Sequence, residues 1–397
     1  MAQVLQGDPQ SRVVMMRSQE ETAYAPDPAC HGLERIDISL DNEDRVFMGG
    51  QILTGKVILE LAAPIEALGI RLRCRSDARV YFTDRSIGIR RKFSAEESYF
   101  LLEPYLVGDG KSKSQLTNGI YPFSMELPEK TPCSFEGLYG RIRYSIRAIL
   151  LMSKDIVFST NALPFTLASF CDLNQDSLAP LPISENQSKI FIGQKEPLTI
   201  SLSLPVRGFV PGQTVPMEIT LKNESHIRIA KIRIVLKKVV TYNAKEKSRR
   251  HKEIIVEIAL PVSSKEEIYK ENFDVPSIPP SRMEFCNIID VRYALKVEAC
   301  IDLNEWYYRL LQKNLKIRTT IFIGTIPLKN YEDAINENVN ASSELNINEN
   351  RYVKSQIYRS SKPEKDDPTG DEEECDGENS PFSPMYRVYA FKKLSKK

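Results

Sequence analysis

Two stretches of this chain decide its fold: IRYSIRAIL at residues 142–150 and VRYALKVEA at residues 291–299. In each stretch apolar residues alternate with polar, charged or small ones, and an Arg-Tyr pair falls in the same phase. A period of two residues is typical of a β-strand with one buried and one solvated face. We therefore expect the rings of Tyr144 and Tyr293 in the core. The cations of the two strands are expected on the solvent faces: Arg143, Arg147, Arg292 and Lys296.

Other landmarks recur around both strands in the same order. FMGGQ at 47–51 matches FVPGQ at 209–213, and each is compatible with a type II turn whose glycine supplies a positive φ. Each turn leads into an alternating strand, and later into a proline-punctuated approach to the Arg-Tyr strand, at 127–137 and 275–282. The ordered recurrence indicates that one strand-rich unit is present twice in tandem.

The rest of the two units consists of short strands separated by Gly, Pro, Asn and Asp, with almost no helical periodicity. This pattern favours a β-sandwich in each copy, so the predicted fold class is all-β. The acidic stretch DDPTGDEEECDGE has too few apolar residues to bury a core. The predicted organisation is a disordered N-terminal segment at 1–32, a first sandwich at 33–170, a linker at 171–188, a second sandwich at 189–328 and a disordered tail at 329–397 with a terminal aromatic motif.

Composition and spacing exclude several functional classes. Lysine and arginine total 54 against 53 aspartates and glutamates, which argues against a dedicated nucleic-acid-binding protein. The seven cysteines form no C-x-x-C pattern, so reduced cytosolic thiols are expected rather than disulfides or a zinc site. No recognisable nucleophile motif or metal-spaced histidine occurs, and we predict no catalytic, cofactor or metal site. No secretory signal or membrane span is predicted.

Several segments together resemble the arrestin fold, and within it the arrestin-domain-containing proteins, or α-arrestins. They are GGQILTGKVILEL, SFEGLYGRIRYSIRA, GFVPGQTVPMEI, IPPSR followed by IIDVRYALKVEA, and the closing IGTIPL, and the resemblance covers 33–328. It implies two tandem arrestin-like sandwiches and a non-enzymatic adaptor. Such an adaptor binds cytoplasmic parts of membrane proteins and links them to sorting, endocytic or ubiquitination machinery. It is expected in the cytoplasm, peripheral at the plasma membrane or endosomes. The alternative is a structural subunit of an endosomal sorting or coat complex, similar to the arrestin-like subunit of retromer.

The end of the chain departs from the family pattern. Many members carry PPxY motifs that dock WW domains of HECT-type ubiquitin ligases, and this chain has none. Its nearest match, Ser383-Pro384-Met385-Tyr386, lacks one proline, which should weaken docking. The aromatic segment around it is interpreted as a linear peptide that pairs with a partner or folds back onto a sandwich edge, and a disordered tail is the alternative. Its candidate partner-binding residues are Pro384, Tyr386 and Tyr389.

A basic cluster, KEKSRRHK at 245–252, lies between two predicted strands. Its five cations are candidates for contact with anionic lipid headgroups or a phosphorylated partner tail. A solvated hairpin tip and a nuclear localisation signal are the alternatives. The stretch DRSIGIRRK at 84–92 is similar but more diffuse. The anion-contact candidates are Lys245, Lys247, Arg249, Arg250 and Lys252.

Overall fold

The computed structural model describes residues 31–86, 89–302, 313–329, 351–355, 375–376 and 380–391. Almost all regular structure in these ranges is β-strand, and a short 3-10 helix at Leu173–Gln175 joins the two domains. Most of the N-terminal segment predicted to be disordered, residues 1–30, lies outside the described residues, as does most of the predicted tail.

The N-terminal domain is a sandwich of two main sheets. One sheet has the order β1-β3-β9, and the facing sheet has the order β2-β13-β11-β5-β6, with β10 and β12 paired to β11 and β7 paired to β5. A separate pair joins β4 to β8. The bounds are β1 Leu33–Leu40, β2 Val46–Met48, β3 Ile52–Leu61, β4 Ile65–Ala67, β5 Gly69–Ser86, β6 Ile89–Leu102, β7 Tyr105–Gly108, β8 Ser114–Leu116, β9 Gly119–Glu126, β10 Phe135–Gly137, β11 Gly140–Leu151, β12 Val157–Ser159 and β13 Leu163–Ala168.

The C-terminal domain repeats this plan of two facing sheets, with four strands instead of three in the first sheet. Its sheets have the orders β14-β15-β17-β20 and β16-β22-β21-β18-β19. In both domains a short strand pairs in parallel with the last strand, β2 with β13 and β16 with β22, whereas the long central strands pair antiparallel. The bounds are β14 Ile183–Lys189, β15 Leu198–Leu204, β16 Gly208–Phe209, β17 Thr214–Asn223, β18 Ile229–Asn243, β19 Ser248–Pro261, β20 Glu266–Asp274, β21 Ile289–Ile301 and β22 Leu315–Ile323.

The repeated Arg-Tyr stretches form equivalent strands, β11 and β21, as their alternation predicts. Both tyrosine rings are buried, and each hydroxyl donates to a proline carbonyl on the preceding loop. The distances are 2.5 Å from Tyr144 to Pro132 and 2.6 Å from Tyr293 to Pro279. A buried hydroxyl needs a partner, so each proline-bearing approach supplies the acceptor that its tyrosine requires.

A serine two positions after each proline ties the same loop to the last strand of its domain. The Ser134 amide donates to the Leu167 carbonyl at 2.8 Å, and the Leu167 amide donates back to the Ser134 hydroxyl at 2.9 Å. Ser281 and Ile323 repeat both bonds, at 2.7 and 2.8 Å. The two copies therefore share side-chain bonding as well as strand order.

The predicted turns are also equivalent. Gly50 and Gly212 have φ angles of 77° and 90°, which an L side chain rarely adopts. In each turn the glutamine side chain accepts from the backbone N–H three residues earlier, at 2.8 Å for Gln51 and 3.0 Å for Gln213. The Phe-x-x-Gly-Gln pattern thus encodes a glycine turn closed by its own glutamine.

The solvent-face prediction is correct for Arg292 and wrong for two other cations. The Arg292 side chain is 72% exposed, but those of Arg143 and Lys296 are only 11% and 13% exposed. Strand β10 lies beside β11 and brings the fully buried Glu136 carboxylate to Arg143, whose Nε and Nη2 donate to it at 2.5 and 3.2 Å. A buried carboxylate needs such a partner, which keeps the guanidinium out of solvent.

The structure also changes the predicted linker and tail. Residues 183–188, assigned to the linker, form most of β14, which pairs with β15 along its whole length. Only Ile183 of this strand is fully buried, so the strand lacks the alternation that would have revealed it. The tail contributes four short strands to the described part of the chain: β23 Arg351–Lys354, β24 Cys375–Asp376, β25 Ser380–Pro381 and β26 Met385–Val388.

Candidate interaction sites at the domain junction

Two β-hairpins, one from each domain, lie side by side at the junction. The hairpin β5–β6 carries residues 84–92 at its tip, and the hairpin β18–β19 carries 245–252. The Lys247 ammonium forms an ion pair with the Asp84 carboxylate across the junction. Two residues that are 163 positions apart in the sequence are thereby brought together.

Arg249 makes the most extensive contact between these hairpins. Its Nη1 donates to the Thr83 carbonyl at 2.6 Å. Its guanidinium lies 4.2 Å from the centroid of the Tyr139 ring and 5.8 Å from that of Phe82. A planar guanidinium can donate in its plane and stack through its face at once, and Arg249 does both. Of the five predicted anion-contact residues, Lys247 and Arg249 are therefore used within the protein.

The other three predicted cations are exposed. Arg250 and Lys252 lie on the outward face of β19, and Lys245 lies in the turn before it. On the neighbouring hairpin, the cations that begin β6 are exposed as well: Arg90, Arg91 and Lys92. The structure thus brings together two basic stretches that are separate in the sequence. Only residues 244–247 join β18 to β19, so the rest of the basic cluster, 248–252, lies in β19 itself and not between two strands.

Next to the hairpins, side chains of the two domains pack directly against each other. The sulfur atoms of Cys133 and Met283 lie 3.4 Å apart, and the rings of Tyr139 and Tyr242 meet edge to face with centroids 5.7 Å apart. Burial raises the pKa of the Cys133 thiol to about 12, which keeps it protonated. The apolar residues of both domains form one continuous cluster through this contact.

The second candidate site is the crevice between the domains, which the end of the chain occupies. Strands β23 and β26 pair antiparallel, and we call them the tail hairpin. The Ser277 hydroxyl of the C-terminal domain donates to the Val353 carbonyl of β23 at 2.7 Å. On the other side, the Met385 amide of β26 donates to the Thr166 hydroxyl of the N-terminal domain at 3.2 Å. The tail hairpin therefore bonds to both domains.

Two of the three predicted partner-binding residues are buried in this crevice. Tyr386 is 6% exposed, and its hydroxyl donates to the Ser134 carbonyl at 3.2 Å. Burial raises the pKa of Tyr386 well above its ordinary value. Pro384 is also buried, and its carbonyl accepts from the Ser355 amide at 3.0 Å. In this arrangement neither residue is exposed to a partner.

Tyr389, the third predicted residue, is half-buried against the C-terminal domain. Its amide donates to the Pro211 carbonyl at 3.0 Å, and its hydroxyl donates to the Thr325 carbonyl at 2.6 Å. Its ring joins Phe391 and a small apolar cluster that includes Leu173 of the connecting 3-10 helix. The aromatic segment folds back, as one interpretation of the sequence proposed, but β26 pairs with β23 of the tail rather than with a sandwich edge.

A cavity of about 180 Å³ lies where the two domains meet the tail hairpin. Its mostly apolar lining comes from all three parts: Met48 and Phe170, Ile278 and Ile326, and Tyr352 and Tyr386. Phe170 is 61% exposed at its rim.

Two other kinds of feature are absent from the described ranges. No cluster of three or more His, Cys, Asp or Glu side chains there is arranged to hold a metal ion. No helix there has the length and apolarity that crossing a membrane requires.

Comparison with known proteins matches both domains. The N-terminal domain of arrestin (or S-antigen) matches residues 36–174, and the corresponding C-terminal domain matches residues 194–328. These matches confirm the predicted pair of tandem arrestin-like domains, and they place the tail hairpin outside both.

Relatives of similar sequence are named as arrestin domain-containing proteins. Arrestin domain-containing protein 17 of Caenorhabditis elegans is 30% identical over 321 residues, which span 74% of this chain and 71% of the relative. Arrestin domain-containing protein 1 of Rattus norvegicus is 27% identical over 67% of this chain and 61% of its own length. Arrestin domain-containing protein 4 of Mus musculus is 25% identical over 73% of this chain and 71% of its own length. The chain therefore belongs to the family of arrestin-domain-containing proteins.

Proposed function

We propose that the protein is a non-enzymatic adaptor that binds cytoplasmic segments of membrane proteins and links them to sorting, endocytic or ubiquitination machinery. The observation that supports this most directly is the presence of both arrestin domains, packed as one body and similar in sequence to arrestin domain-containing relatives. The proposed location is the cytoplasmic side of the plasma membrane or endosomes.

Exposed sheet edges offer a way to hold an extended peptide. Among the described strands, β1 pairs only with β3, β14 only with β15, and β20 only with β17. An edge strand presents unpaired backbone groups, to which a peptide can add as a further strand. Apolar side chains are exposed on and beside the C-terminal edges: Ile190 at 61%, Ile192 at 67% and Ile268 at 61%. Such residues can give pockets for alternate side chains of the bound segment.

Recruitment of a WW-containing HECT-type ligase is a separate proposal. Pro384 and Tyr386 lie in the crevice, so a WW domain can reach them only after the tail hairpin leaves it. We expect a ligase that depends on this segment to bind weakly to the folded chain and more strongly to a chain whose tail hairpin is displaced.

Proximity labelling with the full chain in cells tests the adaptor proposal. We expect enrichment of integral membrane proteins together with sorting or endocytic factors. Enrichment of neither class would contradict the proposal. Gel filtration of native extract tests the alternative role, since a stable large complex would point to a structural coat or sorting subunit and a smaller, exchanging species to an adaptor.

A further inference from the structure

We propose that the two adjoining hairpin ends, residues 84–86 with 89–92 and residues 245–252, form one docking surface for an anionic phospholipid membrane. We call them the basic tips. The inference rests on the proposed adaptor function and deepens it, because it assigns the part of the protein that faces the membrane. It arises from the packing of the two domains, which the sequence does not show.

Charge is concentrated at this surface. Residues 84–92 contain four cations and one carboxylate, and residues 245–252 contain five cations and one carboxylate. The basic tips therefore carry a net charge of +7 in a chain whose total is +1, so the rest of the chain is net negative at −6. A local concentration of positive charge draws that part of a protein toward an anionic surface.

Two cations link the basic tips to each other. Lys247 and Arg249 link the two hairpins through Asp84 and the Thr83 carbonyl. The exposed cations come from both hairpins: Arg90, Arg91, Lys92, Lys245, Arg250 and Lys252. The contacts of Lys247 and Arg249 thus hold the two hairpins, and the exposed cations on them, side by side. Both domains contribute to one surface.

Apolar side chains among these cations favour a membrane over an acidic peptide. Ile89 begins β6 and is 59% exposed directly beside Arg90. Ile254 is 45% exposed and follows Arg250 and Lys252 on the same face of β19. Cations interleaved with exposed apolar residues match the interfacial zone of a bilayer, where headgroups meet acyl chains. An acidic peptide needs the charges but leaves these isoleucines unexplained.

Vesicle co-sedimentation of the full chain tests the inference. We expect binding to vesicles of phosphatidylcholine with phosphatidylserine, little binding to phosphatidylcholine alone, and loss of binding as salt rises. The triple variant Lys245→Gln, Arg250→Gln, Lys252→Gln should weaken binding by roughly fivefold for each cation removed. Ile89→Ser should weaken it as well, without changing the charge.

A matched control removes the same charge elsewhere. Lys56, Lys222 and Lys270 are exposed on the outer sheets of the two sandwiches, and changing all three to Gln should leave vesicle binding close to that of the parent. Equal losses in the two triple variants would overturn the inference, because binding would then follow net charge alone. All altered residues are exposed, and thermal melting of each variant checks that it is folded.

Two further outcomes would also overturn it. Binding to a poly-glutamate peptide but not to vesicles would make the surface a site for an acidic protein segment. Release of the vesicles by inorganic phosphate, at an ionic strength at which sodium chloride leaves them bound, would show a phosphate site rather than a membrane surface. Failure of the adaptor proposal is distinguishable: if the parent chain captures membrane proteins from detergent extract but does not bind the vesicles, the adaptor function stands and only the membrane surface is wrong.

Discussion

The Tyr386 hydroxyl donates to the Ser134 carbonyl at 3.2 Å, although the two residues are 252 positions apart. Ser134 belongs to the loop that also supplies Pro132 to Tyr144. The end of the chain thus bonds to the same loop that completes the core of the N-terminal domain. This contact makes the tail hairpin part of the folded junction.

Substitution of Tyr386 should loosen the tail hairpin. Tyr386→Phe keeps the buried ring and loses one hydrogen bond, so the cost should be about 1 kcal/mol. Tyr386→Ala also leaves a cavity, which should lower the free energy that holds the tail hairpin in the crevice by about 3–5 kcal/mol. The tail hairpin should then be released. Limited proteolysis between the domains and the tail measures the release. Equal resistance of the parent and Tyr386→Ala would show that Tyr386 does not hold the segment.

Gly212→Ala should displace the tail hairpin by direct collision. A Cβ at this position would lie 2.1 Å from the Tyr389 carbonyl oxygen. Gly50→Ala is a matched control in the equivalent turn, with a similar positive φ, where a Cβ would meet the flexible Glu129 side chain at 3.1 Å instead. In both variants an alanine at positive φ strains the backbone, which should destabilise the protein by about 1 kcal/mol.

Hydrogen exchange of the residue 385–389 amides separates the two effects. We expect faster exchange of these amides in Gly212→Ala and parental exchange in Gly50→Ala. Faster exchange in both would attribute the effect to general destabilisation, and parental exchange in both would contradict the close approach of Tyr389 to the turn.

Arg249→Ala should weaken the contact between the domains. It removes a charged hydrogen bond to Thr83 and the stacking on Tyr139, with an expected cost of about 2 kcal/mol. Arg250→Ala is the matched control, because the neighbouring side chain is exposed on the other face of β19, and it should change stability by no more than about 0.5 kcal/mol. Denaturant unfolding measures both, and equal effects would contradict the assigned role of Arg249.

Alkaline pH should destabilise the protein through its buried tyrosines. Burial raises the pKa of Tyr144 and Tyr293 above the ordinary value of 10.0, so the folded state keeps protons that the unfolded chain releases. Their contribution is fully present below about pH 10 and is lost as pH rises above it, by up to about 1.4 kcal/mol per pH unit for each tyrosine.

The free energy of unfolding, measured below and above pH 10, tests whether stability falls as the pH rises. Tyr144→Phe should be less stable than the parent at neutral pH, because the Pro132 carbonyl loses its donor, but its stability should fall less steeply with pH. Tyr105→Phe, which removes a hydroxyl from a 40% exposed residue, serves as control. An identical pH slope in the parent and Tyr144→Phe would rule out the buried hydroxyl as the cause.

The sequence by itself determined the strands, the turns and the duplication. The alternation around Tyr144 and Tyr293 and the glycines at 50 and 212 are local signals, because side-chain period and φ depend on a few neighbouring residues. The order of these signals was enough to indicate two arrestin-like domains, which the family matches confirm.

Only the tertiary structure decided that Arg143 binds the buried Glu136 instead of facing solvent. It also decided that Lys247 and Arg249 bind across the junction and that Tyr386 is buried. These outcomes depend on pairs of residues far apart in the chain, and such pairs meet only once both domains have packed. No local period records a contact between positions 134 and 386, since its free energy comes from burial and hydrogen bonding at a surface that neither segment forms alone.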